Sequence, residues 1–171
     1  MRTVDTRKIA QAVILVAIGV ALAPFTSIPF GIARINPTQH FVNVLAAILL
    51  GPWWAVAIAA MIGVIRNAMG VGTLLAFPGG MIGAFLAGYT YRYTHNLYLG
   101  ALGEIIGTGI IGAVISAVVV APVFMHQTMA LGLLVASFLG STILGAIIGV
   151  LAVKLLERAG YAHLGERAAR A

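Results

Sequence analysis

The sequence predicts an all-α integral membrane protein, a compact single bundle of six transmembrane helices with cytoplasmic N- and C-termini. Three observations carry this reading. Hydrophobic residues make up 61% of the 171-residue chain and charged residues 8%, where a soluble domain carries roughly a quarter charged residues. The mean hydropathy is +1.08. The apolar residues fall into six runs punctuated by glycine, proline and short polar stretches. No long polar extension flanks the runs, so residues 1–171 read as one membrane domain.

The first run, about 9–25, follows Arg2, Arg7 and Lys8 and contains Ala21-Leu22-Ala23, a pattern like a signal-cleavage site. Pro24 directly after it disfavours cleavage, so the segment reads as a retained helix. A polar loop follows, and it turns into a short apolar segment over 38–50. This stretch gathers Arg34, Asn36, Gln39, His40 and Asn43. Pro37 stiffens the approach and Thr38 suits a helix N-cap. On that helix Gln39 and Asn43 share a face, and His40 nearly does. About 13 residues span only about 20 Å, less than a ~30 Å hydrocarbon core, so the polar first turn belongs to a water-accessible recess.

Gly51-Pro52 makes a tight turn into the third helix, 53–69, with Trp53 and Trp54 as interfacial anchors. Phe77-Pro78-Gly79-Gly80 opens the fourth, 78–94, with proline in the first turn where its missing N–H costs little. The fifth covers 98–121 and closes at Ala121-Pro122, and the sixth covers 131–157 before a short basic tail, 158–171.

With the N-terminus inside, the cytoplasmic side carries Arg2, Arg7, Lys8, Arg92, Lys154, Arg158, Arg167 and Arg170. The outside carries only Arg34 and Arg66. Such asymmetry orients membrane proteins. It accounts for the net charge of +6 without a nucleic-acid partner.

This topology sends most non-cytoplasmic polar side chains to the outer end. Asn36, His40 and Asn43 come from the first loop and second helix, Arg66 and Asn67 from the end of the third, and His126 from the fifth loop. Together they sketch a polar, outward-open substrate pocket. Glu104 stands apart as the one acidic residue in the interior of an apolar run, where a charge costs several kcal/mol unless paired or hydrated. It is a pairing partner or a ligand-binding or coupling group.

Small residues recur four apart at Ala17/Ala21, Gly19/Ala23, Gly80/Ala84/Gly88, Gly103/Gly107 and Gly145/Gly149, which lets helix backbones approach closely. Internal packing explains most of them. The first helix is the exception, because a terminal helix is freest to offer a face to a partner.

Several chemistries are excluded or unsupported. With no cysteine there is neither a disulfide nor a thiolate site. The only lysines, Lys8 and Lys154, do not follow glycine, so no phosphate-binding loop of the Walker type exists. Asp5 is the sole aspartate and no His/Asp/Glu set has metal-ligand spacing. The chain therefore reads as a non-enzyme without metal or cofactor.

Six short helices, small residues on the first and a polar loop before a short second helix resemble the substrate-binding S components of energy-coupling factor (ECF) transporters. More narrowly, PTQHFVNVLAAILLGPWWAV, IGVIRNAMGVGTLLAFPGGMIGAFLAG and GEIIGTGIIGA resemble the ThiW family. The resemblance spans roughly Ile9 to Leu156. It implies a multi-pass subunit of the cytoplasmic membrane that captures a thiamin precursor, hydroxyethylthiazole, from outside. It further implies a membrane T component and two cytoplasmic ATPases as partners, with Ala17 and Ala21 contacting the T component. The alternatives are a stand-alone proton-coupled transporter with Glu104 as its titrating group, an S component for pyrimidine, thiamin or another vitamin, and a non-transport membrane scaffold.

Overall fold

The structure is a computed structural model that describes residues 6–30 and 33–161. Six helices form: α1 (Thr6–Thr26), α2 (Pro37–Leu50), α3 (Pro52–Ala68), α4 (Ala76–Thr94), α5 (Leu97–Phe124) and α6 (Leu131–Leu156). Each lies within a few residues of its expected span. Pro37 and Pro52 sit in the first turns of α2 and α3, and Asn96 caps α5 by accepting from the Tyr98 and Leu99 N–H groups. Gly51, between α2 and α3, takes φ 91°, a backbone angle glycine adopts without a Cβ penalty.

The stretch between α1 and α2, expected as an irregular loop, instead forms a small antiparallel hairpin. Strand β1 (Ile28–Phe30) pairs with β2 (Ala33–Ile35), with Ile28 opposite Ile35. Two short apolar runs around a glycine are the sequence signal for it. Arg2, Arg167 and Arg170 lie outside the described residues, as does the side chain of Arg34.

Helices α1, α5 and α6 (with its extension to Gly160) are long and apolar enough to cross a membrane, whereas α2 and α3 are shorter apolar helices. Helix α2 sits inside, and α3 packs one face on it while Trp53, Met61 and Val64 of its other face stay exposed. Val42, Val44, Ala46, Ala47, Ile58, Ala59 and Ile62 are all at most 2% exposed, and they form the core with Ala84, Ala87 and Ala146. The turn joining the pair is buried too, because Pro52 packs on Gly88, six residues before Thr94. That turn thus lies about 9 Å short of the end of α4.

Helices α4 and α5 meet backbone to backbone. Cβ atoms added at Gly103, Gly107 and Gly112 would collide with Leu86, Gly83 and Gly79 of α4. The spacing of those three glycines is four and then five residues. Five residues of α-helix would rotate the third glycine off the contact face. The segment Gly107–Gly112 is π-helical, and its wider turn returns Gly112 to α4. Elsewhere Gly19 packs on Ile62, Gly145 on the first turn of α2, and Gly149 on Val44. Most small-residue ridges are therefore internal contacts. Ala17 and Ala21 are exposed, one face away from the buried Gly19 and Ala23.

Candidate functional site

The first turn of α2 is where the polar residues converge. Thr38, Gln39, His40 and Asn43 are buried there and in the turn that follows, Thr38 bonding Thr26 of α1 and the other three facing α3, α4 and α5. Burial of so many polar groups is sustainable only if they are paired, and the partners come from four helices.

Glu104 is the hub. Fully buried, it accepts at one oxygen, Oε1, from the Asn43 amide at 3.0 Å, and the same oxygen lies 2.8 Å from His40 Nδ1 and 3.0 Å from the Thr108 hydroxyl. Asn43 uses its other N–H to donate to the Gly80 carbonyl at 3.0 Å, and Thr108 shares its single hydroxyl proton between Oε1 and the Gly79 carbonyl at 2.9 Å. Flipping the Asn43 amide would set its oxygen against two acceptors, so the orientation is determined. Space for the carboxylate comes from Gly83: a Cβ there would overlap Thr108 Oγ1 and lie 2.6 Å from Glu104 Oε2. Glu104 thus does not stand apart; it ties α2, α4 and α5 together.

Next to the hub is a recess with about 40 Å³ of free space. Asn36, Gln39, His40, Arg66, Thr73, Thr108 and Ser141 supply its polar lining. Leu75, Phe138 and the glycine face of α4 at Gly79-Gly80 supply the rest. The buried Arg66 guanidinium donates to the Gln39 carbonyl oxygen across the recess, and the Gln39 amide lies against Gly80. Asn36 is anchored through its backbone N–H to Ser141 Oγ at 3.0 Å and through its amide to the Ala23 carbonyl at 3.2 Å. Its Oδ1 has no hydrogen-bond partner among the described residues. The recess therefore joins neutral donors and acceptors, one arginine and one aromatic ring, a composition suited to a small polar heteroaromatic molecule.

The expected site residues divide on geometry. Asn36, His40 and Arg66 line the recess; Asn43 and Glu104 lie directly behind it. Asn67 turns away and braces the end of α3, donating to Gly63 O at 2.8 Å and Thr73 O at 3.4 Å. His126 is exposed in the loop after α5, at φ 52°, and is not among the lining residues. That loop begins with a turn closed by Gln127 N–H on Ala121 O, which directs it outward. Gln39, which the sequence places on the same face as Asn43, lines the recess as well, whereas Thr108, Phe138 and the Gly79/Gly80/Gly83 face were not anticipated. Thr108, four residues after Glu104, was the legible one, since i and i+4 share a helix face.

A second concavity lies between α1 and α3. It is apolar, about 640 Å³, and its walls include Val13, Ala17, Ala21, Trp54 and Met61.

No curated protein matches the chain. The family model described as thiamine-precursor transporter protein (ThiW) matches residues 9–159. With most of its length covered, the chain belongs to the ThiW family of thiamine-precursor transporter proteins.

Proposed function

We propose that this chain is the substrate-capture S component of an ECF-type importer, lying in the cytoplasmic membrane as six spans with both termini inside. In this reading its recess takes hydroxyethylthiazole from the outside. The observation that carries the reading is the recess at the first turn of α2. It is a buried, multi-helix cluster of hydrogen-bonding groups beside Phe138, in a chain of a thiamine-precursor transporter family.

The orientation has support at the opposite end of the bundle. Arg7 and Lys8 begin α1, Arg92 ends α4 and Lys154 ends α6, where it donates to the Tyr98 hydroxyl. Exposed Trp53, Tyr93 and Tyr98 accompany them, as in an interfacial aromatic belt. Thr73, by contrast, lines the recess. Single cysteines at Thr73 and His95 test the topology. An impermeant thiol reagent applied to intact cells should label position 73 and spare 95; the reverse pattern would turn the recess inward.

The chain has no nucleotide-binding loop, which fits partners that supply ATP hydrolysis: a membrane T component and two cytoplasmic ATPases. The exposed Ala17 and Ala21 and the apolar groove beside them suit T-component docking. The purified chain should bind hydroxyethylthiazole more tightly than the pyrimidine precursor or thiamin. Uptake should vanish without the ATPases.

A second reading, a proton-coupled carrier, is favoured by one observation: Glu104 is a fully buried acidic group with one oxygen, Oε2, unpartnered among the described residues. Uptake that persists without ATPases and collapses with the proton gradient would select it.

A further inference from the structure

We propose that Glu104 is a positioning residue that never meets the ligand. It holds His40 as the Nδ1–H tautomer, so that Nε2 faces the recess as a hydrogen-bond acceptor and selects ligands that offer a hydroxyl or N–H there. This rests on the recess being the binding site.

The argument starts at Glu104 Oε1. The Asn43 amide donates to this oxygen, the Thr108 hydroxyl divides its one proton between it and the Gly79 carbonyl, and the His40 ring nitrogen lies 2.8 Å away. Asn43 Nδ2 can only donate, so Oε1 is an acceptor. The His40 atom that such an acceptor selects is a protonated Nδ1. In neutral imidazole the proton at one nitrogen leaves the other as a lone-pair acceptor. His40 lines the recess, its side chain retains 11% exposure, and no protein group among the described residues bonds Nε2.

The ring is held on one edge. A Cβ at Gly145 would come within 2.6 Å of His40 Cβ, so α6 fixes the root of the side chain. The carboxylate holds Nδ1, next to that root, and leaves Nε2 free. Oε2 lies against Gly83, and Glu104 is not among the residues that line the recess.

Charge on Glu104 is not what this role requires. A glutamine at 104 would keep its carbonyl oxygen where Asn43, Thr108 and His40 converge, and would turn its NH2 toward Gly83. The acceptor survives, and with it the tautomer. A leucine at 104 removes the acceptor and frees the ring. A charge-pairing or proton-carrying Glu104 makes the opposite prediction for glutamine.

The test uses hydroxyethylthiazole and its O-methyl ether, which differ in one donated proton, together with 15N-histidine spectra of the full chain in nanodiscs. The His40 signals are assigned by their loss in His40→Gln. In the wild-type protein, Nδ1 should be protonated and Nε2 bare, and the alcohol should bind roughly 5- to 150-fold tighter than the ether. Glu104→Gln should keep both the spectrum and the preference. Glu104→Leu should mix the tautomers and bring the ratio close to one.

A protonated Nε2 in the wild-type protein overturns the proposal whether or not either probe binds. A Glu104→Gln protein that is folded but has lost the preference also overturns it, since the charge itself would then act. If neither probe binds the wild-type protein, the thiazole reading and the selectivity role built on it both fall, while the spectrum still decides what Glu104 does to His40.

Discussion

Replacing Asn43 with leucine, a near-isosteric change, separates a structural polar residue from a ligand contact. Asn43 is fully buried and donates at 3.0 Å both to the Gly80 carbonyl on α4 and to Glu104 on α5. The neutral bond is worth about 0.5–1.5 kcal/mol and the bond to a charged group about 1.5–3 kcal/mol. Against this, leucine removes the Asn43 Oδ1, which is buried without a partner, and so relieves about 1–3 kcal/mol. The balance is a loss of about 1–2 kcal/mol, comparable with the largest interhelical hydrogen bonds measured in membrane bundles, about 1.7 kcal/mol. For a chain of this size that lowers the melting temperature by about 2–8 °C. Ligand affinity should fall by less than about 5-fold, because Asn43 is not among the recess-lining residues and acts only through Glu104 and Gly80. Melting of the ligand-free protein and hydroxyethylthiazole affinity, measured on one preparation, decide the matter. Unchanged melting with affinity reduced more than tenfold would refute the reasoning and place Asn43 on the ligand.

Gly83→Ala should damage both folding and binding. The new methyl group intrudes on Thr108 and the Glu104 carboxylate, and overpacking costs about 1–3 kcal/mol; a denaturation midpoint equal to wild type would contradict the packing described. The double replacement of Ala17 and Ala21 by tryptophan should leave hydroxyethylthiazole affinity intact, because both positions are exposed on the far side of α1 from the buried Gly19. Co-purification with a T component should be lost, and retention of that complex would remove α1 as the docking face. His126→Ala should change stability by no more than about 0.5 kcal/mol, as for exposed loop positions generally, and should not alter binding; a tenfold affinity loss would bring this loop back to the recess.

The helices were legible in the sequence because glycine and proline interrupt long apolar runs at Gly51-Pro52 and Pro78, although α5, expected to close at Ala121-Pro122, runs through that proline to Phe124. No tertiary contact is needed to read those breaks. The concentration of polar groups at the start of α2 was legible for a related reason, since Asn36, Gln39, His40 and Asn43 stand out in a chain with so few charges. The hairpin between α1 and α2 escaped because three-residue strands carry too little periodicity to compete with a loop reading.

Glu104 shows most clearly what sequence alone could not determine. Its place in the interior of an apolar run set it apart from the polar groups at the outer end, since a linear reading does not show at what level neighbouring helices meet. The levels at which helices meet are set instead by which backbones can touch. Gly83 faces Glu104, Gly80 accepts from Asn43, and the π-helical turn at Gly107–Gly112 keeps α5 in phase with α4. Residue types and spacings determined the six helices and the polar turn. Close packing of glycine-lined backbones, which depends on three dimensions at once, decided that Glu104, His40 and Asn43 meet, and that Asn67 and His126 do not join them.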